Sequence, residues 1–294
     1  MWTKLICCLC GLFLILINQV TYAQNCEANA IQLKPISGQS GYDVLAGGHY
    51  ALTMSYTIGA QISGENCQIR IRLRLDEGGQ SLHRQSNGNL EFEWYGNGGY
   101  SLGDSWITTL SSLKPQSSVA LRFRSRQWLL AGLYSGQLIA TIDNSEQTNI
   151  ANALPETLNI HVNVLPVAQI QFYGMTQQHI DFDMGTLTSG KYISGAPRLW
   201  VQSNTGYTIR VASSHQGRLR HQSNNEKWDI FYQMLLDNTH LDITQPSADI
   251  VYDSFSAGHI IPLSFVIEDT ELRPAGLYSD ILHLSVEPDL TIQP

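Results

Sequence analysis

The same phrase, Ala-Gly-Leu-Tyr-Ser, occurs twice in the chain, and it constrains the fold more than any other feature. The first copy spans residues 131–135 and the second spans residues 275–279. In both copies a glycine leads into an alternating apolar segment, which is typical of a strand that begins after a tight turn. The copies are too far apart for a solenoid repeat, so we interpret them as equivalent strands of two related β domains in tandem.

Short segments with a period of two run through the chain, separated by Gly, Asn and Ser. Between residues 69 and 75, Ile and Leu alternate with Arg70, Arg72 and Arg74, which indicates a strand with one buried and one solvent-exposed face. Residues 119–124 repeat this pattern, and no segment predicts an amphipathic helix. The sequence therefore predicts an all-β chain with an immunoglobulin-like β-sandwich in each half.

Residues 1–23 have the features of a secretory signal peptide. Lys4 precedes an apolar run, and Ala23 ends a segment with small residues at the two positions that a signal peptidase reads. The apolar run is shorter than the roughly 20 residues that a membrane-spanning helix needs. Asn25 in front of Cys26 does not fit a lipoprotein signal. We therefore predict an exported chain with no membrane span.

The change of domain is predicted near Pro166, after a polar segment at residues 143–153. We assign residues 24–165 to an N-terminal β-sandwich domain and residues 166–294 to a C-terminal one. Residues 157–164 alternate like a strand, and they fit either the end of the first domain or the start of the second.

The cysteines and the charge agree with export. Cys26 and Cys67 are the cysteines that remain after the signal peptide, and a pair in an exported chain indicates one disulfide, the alternative being two buried thiols. The chain has 17 basic and 25 acidic residues, with a net charge of −8. An acidic chain without basic clusters is not expected to bind nucleic acid or an anionic membrane.

The second half resembles the spore coat protein U domain family, whose members include subunits of archaic chaperone–usher pili. The matching motifs stand in the family's order, at residues 180–187, 199–209, 217–219, 230–234 and 274–280. The last motif is similar to the family's terminal signature Ala-Gly-x-Tyr-x-Asp, with Gly276, Tyr278 and Asp280. The likeness covers residues 166–287. The first half carries only the later part of the pattern, together with a cysteine pair placed as in the family's N-terminal part.

The resemblance implies an incomplete, pilin-like sandwich that lacks its last strand. The N-terminal extension of a neighbouring subunit supplies that strand by β-strand addition, which also covers an open sheet edge. The implied partners are a periplasmic chaperone, an outer-membrane usher and the adjacent pilin subunit. The implied location is a pilus on the cell surface, reached through the periplasm.

The N-terminal segment favours a particular position in such a pilus. Only Gln24 and Asn25 would precede Cys26 after cleavage, so we expect a chain that accepts a strand without donating one. This is the two-domain tip-adhesin type, in which the first domain binds the receptor. Residues 287–294 depart from the family and form either a tail or a short extra strand.

Residues 91–106 are the best candidate for an adhesive loop. Glycines let a loop project, and aromatic side chains on it can stack on sugars or contact an apolar surface. Its large aromatic residues are Trp94, Tyr95, Tyr100 and Trp106. We expect Tyr95 and Tyr100 to be exposed, whereas Trp94 and Trp106 fit either the core or the contact surface. The receptor, a surface or a glycan, is not specified by the sequence.

The sequence predicts no catalytic residue, cofactor or metal site. His179, Asp181 and Asp183 alternate, and we interpret them as a solvated strand face rather than metal ligands. No nucleophile elbow, zinc-helix motif or phosphate loop occurs. The predicted function is a secreted, non-catalytic pilus subunit at the tip that mediates adhesion. The alternative is a secreted carbohydrate-binding β-sandwich protein outside any fibre, and an extracellular hydrolase is the least favoured.

Overall fold

The computed structural model describes residues 27–36, 41–85, 88–143 and 154–291, and nearly all their regular structure is β-strand. Within these ranges the only helical element is a 3-10 turn at Glu226–Trp228. The prediction of an all-β, sandwich-like fold is confirmed. The same ranges hold no helix long and apolar enough to cross a membrane. The predicted signal peptide lies outside the described residues.

The first half consists of two sheets around a common core. Its strands are β1 Glu27–Pro35, β2 Tyr50–Ser63, β3 Gln68–Leu75, β4 Ser81–His83, β5 Asn89–Glu91, β6 Glu93–Tyr95, β7 Gly99–Leu102, β8 Ser105–Ser111, β9 Gln116–Arg124, β10 Gly132–Ile142 and β11 Glu156–Val164. One sheet has the order β1-β2-β9-β6, and the other has the order β5-β4-β10-β3-β8-β7, with β11 paired to β10. The alternating apolar residues of both sheets meet between them, which is the packing of a sandwich.

The second half has shorter strands in three hydrogen-bonded groups. Its strands are β12 Ala168–Phe172, β13 Tyr192–Ile193, β14 Leu199–Ser203, β15 Tyr207–Ser213, β16 Arg218–His221, β17 Ile230–Leu236, β18 Thr239–Leu241, β19 Ala248–Tyr252, β20 Ser256–Ile261, β21 Leu263–Ile267, β22 Tyr278–Ser279 and β23 Leu282–Pro288. The groups have the orders β12-β14-β20, β19-β15-β23 and β13-β21-β17-β16-β22, with β18 paired to β17. Their apolar residues form a second core that is separate from the first.

Strand β11 settles which half contains residues 157–164. It pairs antiparallel with β10 over Gly132–Ala140, and its side chains Ile160, Val162 and Val164 are buried in the first core. The strand therefore belongs to the first half. The assignment of residues 24–165 and 166–294 to separate domains stays a prediction.

The two copies of the repeated phrase occupy equivalent places in the two halves. The Tyr134 hydroxyl donates to the carbonyl of Leu130 at 3.1 Å, and the Tyr278 hydroxyl donates to the carbonyl of Pro274 at 2.8 Å. Each bond reaches back over the same number of residues from the start of a strand, as in the tyrosine corner of immunoglobulin-like sandwiches. The repeat is therefore structural, and β10 corresponds to β22 and β23 together.

Asn204 ties the two halves together. It lies in the turn between β14 and β15 and is 1% exposed. Its side-chain amide donates to the carbonyl of Leu165 at 2.9 Å and accepts from the amide of Val167 at 2.8 Å. Its main-chain carbonyl accepts from the amide of Ala131, the first residue of the repeated phrase, at 3.0 Å. The turn is thus bonded both to the connecting segment and to the first half.

Candidate functional site

The last strand of the second half has an unpaired edge. On one side β23 pairs with β15 over Tyr207–Ser213, and on the other side no residue in the described ranges forms a ladder with it. Its inward side chains Leu282, Leu284 and Val286 are only half-buried, although they pack against the second core. An unpaired edge above half-covered apolar side chains is suited to receive a further strand.

Strand β12 forms the opposite side of this opening. It pairs with β14 on one edge, and within the described part of the chain its other edge has no ladder partner. Strands β12 and β23 lie close together without sharing hydrogen bonds. The side chains Ala168, Ile170 and Phe172 of β12 are also half-buried against the second core. We call the space between these two strands the open groove.

The first half shows the same arrangement with its groove filled. Strand β10, the equivalent of β23, pairs with β11 along its length. The other edge of β11 is bonded to Tyr42, whose amide donates to the carbonyl of Asn163 at 2.8 Å and whose carbonyl accepts from Leu165 at 2.9 Å. The chain thus supplies its own covering strand in the first half.

Burial changes accordingly between the two copies. Tyr134, Leu138 and Ala140 of β10 are fully buried. The equivalent residues of the second copy, Tyr278, Leu282 and Leu284, are half-buried. A covering strand in the first copy accounts for the difference.

The predicted signature residues lie in the segment that leads into β23, with Tyr278 on β22, and have structural roles. Gly276 passes so close to the ring of His221 that a Cβ would collide with its Nε2 atom, so a side chain is excluded there. Tyr278 forms the tyrosine corner described above and packs edge-on against His221, with ring centroids 5.0 Å apart. The signature therefore shapes the turn that leads into the open strand.

Asp280 is the most enclosed carboxylate of this region, with a side chain that is 2% exposed. It accepts hydrogen bonds from the hydroxyls of Ser213 at 2.5 Å and Tyr232 at 2.6 Å. It also accepts from the main-chain amides of His215 at 3.0 Å and Ile281 at 2.8 Å. Burial, reinforced by the bond to Asp280, raises the pKa of Tyr232 far above its ordinary value, so the phenol stays a donor. Asp280 thus ties the start of β23 to β15 and β17.

Residues 91–106, expected to project as a loop, form strands instead, and their role in adhesion stays a prediction. The segment comprises the end of β5, strands β6 and β7 and the start of β8. Strand β6 is an edge of the four-stranded sheet, and β7 pairs with β8 at the edge of the other sheet. The segment therefore crosses from one sheet to the other at the side of the sandwich.

The two tryptophans of this segment are buried in the first core. Trp94 is 8% exposed and Trp106 is 4% exposed, and the Trp94 ring nitrogen donates to the carbonyl of Asp104 at 3.0 Å. A Cβ on Gly99 would lie 2.8 Å from the Trp106 ring nitrogen and would collide with the carbonyl of Ile107. Gly99 is needed because the buried Trp106 ring occupies the space of a side chain. It does not serve to make a loop project from the surface.

The two tyrosines are exposed and lie on different strands. Tyr95 is 44% exposed and Tyr100 is 52% exposed. Tyr95 lies on β6, opposite Ala120 of the four-stranded sheet, whereas Tyr100 lies on β7, opposite Ile107 of the other sheet. They therefore lie on strands of different sheets.

Tyr95 instead belongs to a cluster on the outer face of the four-stranded sheet, which we call the arginine–tyrosine patch. The guanidinium carbon of Arg122 lies 3.1 Å from the centroid of the Tyr95 ring and 5.1 Å from that of Tyr50. The Tyr50 hydroxyl donates to Glu93 at 3.0 Å, and Glu93 also forms an ion pair with Arg124. The alternation in β9 predicted that Arg122 faces outward, but its aromatic neighbours come from strands distant in sequence.

The alternation of His179, Asp181 and Asp183 had suggested a strand. In the structure these residues lie in an irregular segment. His179 contacts Asp181 at 3.2 Å, and Asp183 accepts from the amide of Gly185 at 2.7 Å. Within the described residues, no group of three or more His, Cys, Asp or Glu side chains is placed to hold a metal ion.

Comparisons with known proteins give likenesses in structure only. No protein-family model matches the chain, and no curated protein matches it. Three solved structures to which it is similar are adhesin-related. A chain of the CsuC–CsuE chaperone–tip adhesion subunit complex from archaic Csu pili of Acinetobacter baumannii has 15% identity and a TM-score of 0.40, covering 89% of this chain and 99% of that one.

The CupB6 tip adhesin from Pseudomonas aeruginosa has 9% identity and a TM-score of 0.36, covering 90% of this chain and 96% of that one. The adhesin CfaE of enterotoxigenic E. coli has 11% identity and a TM-score of 0.34, covering 89% of this chain and 82% of that one. Pilus proteins, which the sequence motifs resemble, are thus among the solved structures to which this chain is similar.

Proposed function

We propose that this chain is a non-catalytic adhesive subunit of a chaperone–usher pilus, whose second half accepts a strand from another subunit. The observation that carries the proposal is the difference between the two copies of the repeated phrase. The first copy, in β10, is covered by β11, and the equivalent strand β23 has an unpaired edge within the described residues. The first half contains its own covering strand, whereas the second half leaves an edge that a strand from another subunit can cover.

The occupant of the open groove is an extended strand with alternate apolar residues. Main-chain groups along the edges of β12 and β23 supply the hydrogen bonds, and the half-buried apolar side chains supply the pockets. The first half gives the register, because Tyr134 lies opposite Val162 and Leu138 lies opposite Leu158. By this register, an antiparallel strand on β23 places apolar residues opposite Tyr278 and Leu282.

The partners follow from the same feature. An unpaired edge with apolar side chains beneath it is prone to aggregate, so a periplasmic chaperone would cover it until an outer-membrane usher exchanges the chaperone for the adjacent pilin subunit. The completed half comes first in the chain, which is the order of the two-domain tip-adhesin type that the sequence resembles. In this reading the first half contacts a surface or glycan receptor at the tip of a pilus on the cell surface.

A fused covering strand tests the groove. A second copy of residues 156–164 is attached to the C-terminus of the full chain through a flexible Gly/Ser linker, so that it can fold back onto β23 as β11 does onto β10. We expect less aggregation and a rise of about 5 °C or more in a melting transition. Calorimetry and size-exclusion chromatography provide the measurements.

The matched control carries the same fused segment with Asp in place of the residues that copy Ile160 and Val162. A charged side chain in an apolar pocket opposes insertion, so this version is expected to behave like the unfused chain. An unfused chain that is a stable monomer, and that gains nothing from either segment, contradicts the open groove. That result favours the alternative, a secreted carbohydrate-binding β-sandwich protein outside any fibre.

A further inference from the structure

The arginine–tyrosine patch presents a guanidinium group in a fixed orientation. A distance of 3.1 Å between the Arg122 guanidinium carbon and the Tyr95 ring centroid allows only a face-to-face arrangement. Contact through its face leaves the in-plane N–H groups of a guanidinium free to donate. A long side chain that is already held in place also loses less freedom when a ligand binds.

The charge on Arg122 is not neutralised by the chain around it. In the ladder between β6 and β9, Glu93 stands directly opposite Arg122, but its carboxylate is bonded to Arg124 and to the Tyr50 hydroxyl. No carboxylate among the described residues forms an ion pair with Arg122. The corresponding outward arginine of the other sheet, Arg72, does pair, with Asp143 at 3.3 Å. Arg122 is therefore a free cation on a chain with a net charge of −8.

We propose that the arginine–tyrosine patch binds the carboxylate of an acidic sugar. Arg122 donates two parallel hydrogen bonds to the carboxylate, a pairing that the planar guanidinium matches in geometry. The exposed ring of Tyr95, stacked on Arg122, and the exposed His49, whose ring lies against that of Tyr50, provide faces on which the C–H groups of a sugar ring can pack. The inference rests on the proposed adhesive role of the first half, and it does not depend on the open groove.

The binding test uses the full chain and three sugars. Sialyllactose and a glucuronate-containing hyaluronan oligosaccharide both carry a carboxylate on a pyranose, and lactose serves as the neutral comparison. We expect both acidic sugars to bind in isothermal titration or NMR titration, and lactose to bind at least tenfold more weakly. A sulfated lactose distinguishes a carboxylate from any anion. The proposal is overturned if lactose binds as tightly as the acidic sugars, or if the sulfated sugar binds more tightly than they do. It is also overturned if neither acidic sugar binds.

Two pairs of variants locate the site. Arg122→Lys keeps the charge but removes the planar pair of donors, and it is expected to weaken binding at least tenfold, whereas Arg72→Lys leaves binding unchanged. Tyr95→Ala is expected to weaken binding, whereas Tyr100→Ala, similarly exposed on the other sheet, leaves it unchanged. Melting temperatures confirm that each variant is folded, and Arg122→Gln replaces Arg122→Lys if the latter does not fold.

Unchanged binding by both Arg122 variants overturns the proposal. The fused-strand experiment on the groove gives its result whether or not these sugars bind. Failure of the patch and failure of the proposed strand-accepting function are therefore separate outcomes.

Discussion

Asp280 illustrates how a single residue holds the start of the open strand. Its carboxylate is enclosed and accepts hydrogen bonds from side chains of two other strands, from an amide in the turn after β15 and from the amide of the next residue. In the first copy the equivalent position is Gly136, which sits against Leu82 and Leu75. The polar bonds of Asp280 thus take the place of apolar packing at the same point of the repeat.

We expect Asp280→Ala to lower the free energy of unfolding by about 2–4 kcal/mol. The change leaves the hydroxyls of Ser213 and Tyr232 without their buried acceptor, and hydrogen bonds to a charged group are individually stronger than neutral ones. Urea denaturation checks the value. Asp181→Ala is the control, because its side chain is fully exposed, and a shift of less than about 0.5 kcal/mol is expected there. Equal effects of the two substitutions would contradict a structural role for Asp280.

The predicted disulfide has one described partner. Cys67 is buried at 4% exposure and is disulfide-bonded, while Cys26 lies outside the described residues. We expect mass mapping of unreduced peptides to recover Cys26 joined to Cys67. Reduction should lower stability by about 3–4 kcal/mol in the chain-entropy model for a loop of this length. Recovery of a free Cys26 thiol would show that the pairing is wrong.

At the scale of elements, the hairpin of β7 and β8 shows where local sequence is misleading. Four glycines among aromatic residues are typical of a projecting loop, but Gly99 is required because Trp106 and the carbonyl of Ile107 occupy the space of a side chain. The partners that turn this segment into strands lie on β9 and β8, and the local composition does not reveal them. The alternation of the other strands, by contrast, was readable directly, because it depends only on neighbouring residues.

The hairpin gives a sharp test of this explanation. We expect Gly99→Ala to destabilise the chain by about 1–3 kcal/mol, since the added methyl must displace backbone or a buried ring. Gly47→Ala is the matched control, because a Cβ there meets no atom within 4 Å. Thermal melting measures the change in stability of both variants. A neutral Gly99→Ala would mean that the segment is a free loop after all.

The equivalent strands β10 and β23 show a second property that local sequence does not determine. Their starting phrases are identical, so both are predicted as strands from the residues alone. Whether a strand covers them depends on pairing with segments elsewhere in the chain, and β11 fitted two positions by its alternation. The arginine–tyrosine patch escaped prediction for the same reason, since Tyr50, Glu93 and Arg122 meet only across strand ladders.

At the scale of the molecule, two apolar cores are joined through a short connection. The tandem arrangement was predictable because the repeated phrase marks equivalent places in both halves. The contact between them was not, because it depends on the buried side chain of Asn204, in a turn that reads as an ordinary surface turn. For residues 287–294 the sequence left open a tail or a short extra strand. Glu287 and Pro288 complete β23, and residues 289–291 continue without regular structure.

We expect Asn204→Ala to loosen the connection between the halves. The substitution leaves the carbonyl of Leu165 and the amide of Val167 without these partners in a partly buried place, which costs up to about 1–3 kcal/mol per group. Calorimetry should show the unfolding of the two halves moving apart into separate transitions. Asn159→Ala removes only an exposed bond to Gln137 and is expected to leave the transitions as they are. Coincident transitions in both variants would count against coupling through Asn204.

The bonds of Asn204 also determine how the molecule responds to force. A pull between the two halves must pass through residues 165–167, which connect them covalently. Asn204 forms hydrogen bonds with both ends of that segment and with the first residue of the repeated phrase. Tension is therefore shared among bonds that meet at one residue. Such a clamp keeps the joint stiff under small loads. We expect the connection to lengthen once these bonds break.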